Sequence, residues 1–182
     1  GLGDVYKRQF KSHRIVPAFS CMLQPPAFSK GLKAFEKWAL ASGADSYDEA
    51  SGKGLLRHIY FRKAFATGQI MACAVINGEQ IPDPDLLISL LKDAMPGLQS
   101  VAVNRNKSKT NVILGNETKI IWGSEKITDI LLGKKFVISP ESFYQVNHDQ
   151  CEKLYACVAD FAELAGTETV LDMYCGAGTI CL

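Results

Sequence analysis

The sequence has no C-x-x-C pair among its six cysteines, Cys21, Cys73, Cys151, Cys157, Cys175 and Cys181, which removes the commonest structural-zinc and dithiol signatures. Its three histidines, His13, His58 and His148, are scattered and show no metal-ligand spacing. No apolar run approaches the roughly 18 residues of a membrane span, so no membrane attachment is expected. Neither sign of charge is in excess; the net charge of +1 argues neither for nor against a nucleic-acid partner. There is no internal repeat and no low-complexity tract. Acidic residues are also missing locally, from residues 50–78 and again from residues 94–116. Free thiols without a secretory signal fit a reducing, cytoplasmic setting. What remains is a globular balance, 47% apolar and 21% charged, in 182 residues: enough for one domain or one and a half, with a buried core, expected as a monomer.

Both ends look incomplete. The opening GLGDVYKRQ lacks periodicity, and residues 1–11 read as an unstructured or foreign leader. The closing VLDMYCGAGTICL stops four residues past Gly178, where a helix should begin. The chain therefore reads as a fragment of a larger protein.

Between the ends the pattern alternates. Residues 12–21 read as extended. Ser29 is placed to cap a helix to Ser42, with Leu32, Phe35, Trp38 and Ala39 on one face and Gly43 as its stop. Residues 55–65 and 69–77 read as a β-hairpin. Asp83 before Pro84 reads as an N-cap followed by proline at the first helical position. Short strands are expected over 100–106, 110–114 and 119–122, and strand-rich chain over 127–139 with Gly133 at a turn. Asn147 caps a long helix with Gln150 at its third position, and Leu154, Val158, Phe161 and Ala165 form its apolar stripe. Gly166 closes that helix, and residues 170–174 read as a buried strand. The fold class is an α+β central domain over residues 12–140, followed by the beginning of an α/β unit over residues 141–182.

The last segment carries the chemistry. A strand that ends near an acidic residue and runs into G-x-G is the entry to a nucleotide-binding α/β unit, because glycines let the backbone approach a ligand. The third glycine of the dinucleotide fingerprint is absent, and Cys181 stands there. The pattern D-x-x-C-G-x-G suits a ligand without phosphates: Asp172 favours positive groups and the glycine amides favour a carboxylate. On these residues alone a plain strand-to-helix turn stays open. Upstream, ISPESFYQVN is polar and aromatic where a linker would serve; Phe143 and Tyr144 can stack on a ring, or plug a core.

The pair SPESFYQVN and VLDMYCGAGTI resembles the RNA uracil-5 methyltransferases, most closely the bacterial 23S ribosomal RNA branch. LLRHIYFR and the G-x-x-x-I-x-D spacing from Gly123 to Asp129 are similar too. The resemblance implies a class-I, Rossmann-like methyltransferase domain that begins here and is truncated after its first strand and glycine loop. It implies S-adenosylmethionine as cofactor, contacted by Gln145 and Tyr174, with Gly176, Gly178 and Thr179 lining the same pocket and Asp172 at the end of the first strand. It implies 5-methyluridine as product, formed after a cysteine thiolate adds to C6 and a base removes the C5 proton. That cysteine and base are expected beyond residue 182, so the fragment itself is expected to be inactive. A tRNA uridine or a non-catalytic RNA-binding role are the alternatives. Cys175 faces the cofactor in this reading and is not the nucleophile; Cys73, Cys151 and Cys157 read as ordinary structural residues. Cys21 matches the last of four cysteine ligands that many ribosomal members give to a 4Fe-4S cluster. RNA contacts are expected from Phe143 at the target base and from Arg57, Arg62, Lys63, Arg105 and Lys107, which lie in the two acid-free stretches, though a solvated hairpin edge would look the same.

Overall fold

The computed structural model describes residues 21–109, 112–175 and 178. The leader, most of the extended segment 12–21, and Gly176 and Thr179 lie outside the described residues. Helix α1 (Pro26–Ser42) begins three residues before the expected Ser29 cap. Pro26 supplies a helical φ and needs no hydrogen-bond partner for a missing N–H, so the turn nucleates there. Gly43 ends the helix in the left-handed conformation at φ 71°, as expected.

Strands β1 (Leu56–Lys63) and β2 (Ile70–Ile76) form the expected antiparallel hairpin, Lys63 opposite Ile70. Helix α2 (Pro84–Ala94) then crosses to β3 (Leu98–Arg105), which pairs in parallel with β2. Asp83 precedes this helix at φ 41°, and its carboxylate makes no capping bond. An N-cap side chain reaches the first amides from an extended backbone, and the left-handed one turns it away. Strand β4 (Glu117–Gly123) pairs antiparallel with β3, giving a sheet of order β1-β2-β3-β4. No strand occupies 112–114, contrary to expectation. Asn106 Nδ2 donates to the carbonyls of Val112 (2.7 Å) and Ile113 (3.0 Å), and Asn104 bonds both ways with the backbone of Gly115, so side chains take the bonds a ladder would use.

Helices α1 and α2 cover one face of this sheet. Phe35, Trp38, Leu87 and Leu91 pack on Ile70, Ala72, Ala74 and Val101, all fully or almost fully buried. Trp38 Nε1 donates to the carbonyl of Pro82, tying the two helices together. Gly31 lies where a Cβ would come within 2.5 Å of Met95 Sδ and 2.8 Å of the Phe61 ring, so the helix-to-sheet approach depends on its missing side chain.

A second cluster sits at one end of the sheet. Strands β5 (Ile127–Leu131) and β6 (Lys134–Ile138) form a hairpin through Leu132 and Gly133, both at positive φ, as a two-residue type I′ turn requires. Helix α3 (His148–Ala162) follows; Asn147 Oδ1 accepts from the Gln150 amide, the expected cap. Ile127, Leu131, Phe136, Ile138, Tyr144 and Cys151 pack with Ala64 and Met71 of the hairpin β1–β2.

Three expectations fail around α3. The stripe Leu154, Val158 and Phe161 is exposed, and Ala165 lies past the helix end; the buried face is His148, Cys151 and Tyr155. The helix stops at Ala162, with Glu163 rather than Gly166 in the left-handed cap. Residues 170–174 are exposed coil, not a buried strand, because no described strand pairs with them or covers them. Cys73 and Cys151 are buried and Cys157 is exposed, as their positions suggested. Among the described residues no helix is long and apolar enough to cross a membrane.

Candidate cofactor and RNA site

The segment from β6 to α3, residues 139–147, is held at several points while three of its side chains project outward. Ser139 and Ser142 bond reciprocally: each amide donates to the other's hydroxyl, at 3.1 and 3.2 Å, and the hydroxyls lie 2.8 Å apart. Arg62 donates from its guanidinium to the Ser142 carbonyl and lies 5.1 Å from the Tyr60 ring centre. The Glu141 carboxyl is held below its ordinary range, first by a hydrogen bond from Thr118. Tyr144 is buried against Phe136, ring centres 6.0 Å apart. Its neighbours face solvent: Phe143 is 76% exposed, and Gln145 and Val146 are exposed as well. The segment thus buries one aromatic and leaves the residues on either side of it in solvent.

Beneath this segment lies a fully buried carboxylate, Asp129, which sequence reading had used only as part of a motif spacing. Its oxygens accept from the backbone amides of Phe65 (3.0 Å), Ala66 (2.8 Å) and Ile130 (3.0 Å). His148 is buried; its Nε2 donates to the Ile130 carbonyl at 2.8 Å and lies 3.8 Å from Asp129 Oδ2. The first turn of α3 is thereby fastened to β5. The Tyr144 hydroxyl is buried without a hydrogen bond of standard geometry, and burial together with the nearby Asp129 charge keeps it protonated well above the usual phenol range.

Past α3, the Glu168 carboxylate accepts from the amides of Ala165, Gly166 and Thr167 at 2.9–3.1 Å; its own backbone amide, followed by that of Ala165, holds its carboxyl below the ordinary range. Asp172 Oδ1 accepts from the Tyr174 amide at 2.9 Å. Its Oδ2 is buried without a hydrogen-bond partner among the described residues, an acceptor still open to a donor. Tyr174 is 94% exposed and Cys175 is exposed. The Gly178 amide donates to the Cys175 carbonyl, with Gly178 at φ 73°. Two clefts, of about 450 and 420 Å³, open on the described surface; neither is lined by Phe143, Gln145, Asp172 or Tyr174.

The basic residues differ in what they have left to offer. Arg57 is buried, donating to the carbonyls of Asn106 (2.6 Å) and Ser108 (2.8 Å) with Tyr47 beneath it at 4.5 Å, so its guanidinium is turned inward rather than toward a phosphate. Arg105 pairs with Glu79 and Glu117, and Lys107 with Glu79. The Lys107 hydrogen bond and charge, followed by those of Arg105, hold the Glu79 carboxyl below its ordinary range. Lys63 Nζ lies over the Phe65 ring at 5.3 Å. Burial pushes the Cys73 thiol up to about 12, which keeps it protonated and unreactive. Cys21 is a free, partly exposed thiol, and no group of three or more His, Cys, Asp or Glu suited to a metal occurs among the described residues.

No protein-family model matches the chain. It is 44% identical over 173 residues to an RNA methyltransferase, described as uncharacterized, of Caldanaerobacter subterraneus subsp. tengcongensis, a match covering 95% of this chain and 38% of that protein. It is 42% identical over 174 residues to another so described from Halalkalibacterium halodurans, covering 96% and 38%. By sequence it belongs to the family of these RNA methyltransferases, and it spans a little over a third of their length. Among solved structures it resembles the tRNA (uracil-54, C5)-methyltransferase of Pyrococcus abyssi in complex with S-adenosyl-L-homocysteine, with a TM-score of 0.76 and 25% identity over 92% of this chain and 39% of that one.

Proposed function

We propose that the chain is part of an S-adenosylmethionine-dependent methyltransferase that converts a uridine of ribosomal RNA, in the 23S molecule, to 5-methyluridine. The observation that carries this reading is the presence of SPESFYQVN and VLDMYCGAGTI in a chain 44% identical to an RNA methyltransferase. The residues fit the cofactor. Asp172 offers a buried carboxylate oxygen with no partner among the described residues, which an ammonium would satisfy, and Gln145 presents an exposed amide from a braced segment. Gly176, Gly178, Thr179 and Tyr174 line the same pocket in this reading. The cofactor, when bound, supplies a methyl group activated on a sulfonium. Phe143 receives the face of the target uracil once it leaves the stack. Arg62, Lys63, Arg105 and Lys107 contribute positive charge toward the RNA backbone, with Arg105 and Lys107 exchanging Glu79 for phosphate.

Uracil C5 needs a thiolate at C6 to become nucleophilic. Cys73 and Cys151 are buried, so neither can reach a base. As the family resemblance implies, the nucleophile and the base belong to sequence outside these 182 residues, and in this reading the chain alone transfers no methyl group. The cytoplasm and a monomeric state complete the reading. The 4Fe-4S role of Cys21 rests on sequence resemblance alone; the described residues gather no set of ligands for it, and no step depends on it. A second reading, with tRNA as substrate, is favoured by the likeness to the Pyrococcus abyssi enzyme. The two separate in one assay. The protein at the length of its relatives, given tritiated S-adenosylmethionine, should label 23S ribosomal transcripts at uridine; label confined to tRNA would establish the second reading, and label on neither would end both.

A further inference from the structure

We infer that Asp129 is a positioning residue for the Phe143–Gln145 segment, acting through Tyr144 and His148. This rests on the reading of Phe143 and Gln145 given above. The carboxylate is fully buried and spans three separate pieces of chain. It accepts the amides of Phe65 and Ala66 in the β1–β2 turn, and that of Ile130 in its own strand. The Ile130 carbonyl in turn accepts from His148, the first residue of α3, whose ring also rests against Phe65 at 5.8 Å between centres. Tyr144 is buried against Ile127 and Leu131, which lie two residues to either side of Asp129 in β5. The three residues between Tyr144 and His148 are thus flanked by two side chains that pack on the strand carrying Asp129, with His148 Nε2 3.8 Å from its carboxylate.

Such an arrangement does more than stabilise a core. A buried carboxylate is costly unless its oxygens are satisfied, and here backbone amides from the sheet and the hairpin satisfy them, which fixes their separation. An apolar residue would fill the volume without that geometry. Because Phe143 and Gln145 flank Tyr144 directly in the chain, fixing the buried Tyr144 ring restrains the backbone from which both exposed side chains project. A displacement of about an ångström in such a group is enough to weaken a hydrogen bond severely.

The test uses the protein at the length of its relatives, with Asp129→Asn, Asp129→Ala and Tyr144→Phe. Asparagine keeps the size and one acceptor but sets an amide N–H against the Phe65 N–H. In D129N the backbone amides of residues 142–147 should exchange with deuterium at least about 10-fold faster, while those of β2 and β3 keep their wild-type protection. S-adenosylhomocysteine affinity should fall about 10-fold and the KM for S-adenosylmethionine should rise with it, with kcat at saturation within about 2-fold. Y144F, which leaves the amide bonds of Asp129 intact, should move the same readouts in the same direction by less, and D129A by more. Wild-type exchange and affinity in D129N would overturn the inference. A uniform loss of protection through the sheet, with Y144F silent, would make Asp129 a stability residue only and overturn it equally. If the wild-type protein binds no S-adenosylhomocysteine, the reading of the site falls first and the inference with it.

Discussion

The Asp172 carboxylate has one oxygen on the Tyr174 amide and the other buried with no donor among the described residues, and it lies in a segment that otherwise stands in solvent. In the 139–147 segment, Gln145 and Phe143 are exposed although their neighbour Tyr144 is planted in the core. These unsatisfied or uncovered groups are the best marks of a ligand at this scale. Gln145→Ala should weaken S-adenosylhomocysteine binding about 3- to 10-fold, the worth of one hydrogen bond, as read by calorimetry on the protein at its relatives' length. Phe143→Ala should leave cofactor affinity alone and raise the KM for RNA about 10-fold or more, since a lost base stack is worth about 1–3 kcal/mol. Motif spacing singled out Gln145, Phe143 and Asp172 as candidates. It could not reveal that Arg57 turns inward, because which carbonyls a guanidinium meets is decided by strands 49 residues apart in the chain. The acid-free stretches misled in a similar way. Each ends at a glutamate, Glu79 and Glu117, and the fold brings both back onto the cations.

Local rules sufficed for some elements and failed for others. The hairpins β1–β2 and β5–β6 were legible because their turn residues and apolar runs are adjacent in sequence. The start of helix α3 was legible, but its end and its orientation were not. Periodicity finds an apolar stripe, yet the stripe at Leu154, Val158 and Phe161 is exposed, and the polar His148 is buried because Ile130 offers it a carbonyl. The segment 170–174 has a strand's composition and no partner strand among the described residues, and pairing is a property of two segments. Packing of α1 on the sheet yields a sharper expectation. Gly31→Ala would press a methyl group into Met95 and Phe61, and overpacking of this kind costs about 1–3 kcal/mol, so the urea midpoint should drop with an unchanged m-value.

For the molecule as a whole, pH dependence follows from groups the fold perturbs. Burial, followed by the Arg57 charge, pushes His58 below its ordinary value near 6.5. The folded state therefore resists its protonation. The stability His58 contributes is present above that value and is lost as pH falls through the lower folded one. Glu79 and Glu141 are also depressed, so their contribution persists until pH falls below the ordinary carboxylate value near 4.5. Urea midpoints should be level from pH 8 to about 7, decline gently below about 6.5, and fall further below about 4.5. His58→Asn should remove the first decline and leave the second; a first decline that survives the substitution would contradict the assignment.

The account depends on one pocket serving one cofactor from two distant stretches of sequence. The direct measurement is an experimental structure of the protein, at the length of its relatives, with S-adenosylhomocysteine bound. It should show the Gln145 amide within about 3 Å of a polar atom of that ligand, and Asp172 and Tyr174 on the same molecule. A ligand bound elsewhere, with Gln145 still in solvent, would contradict it.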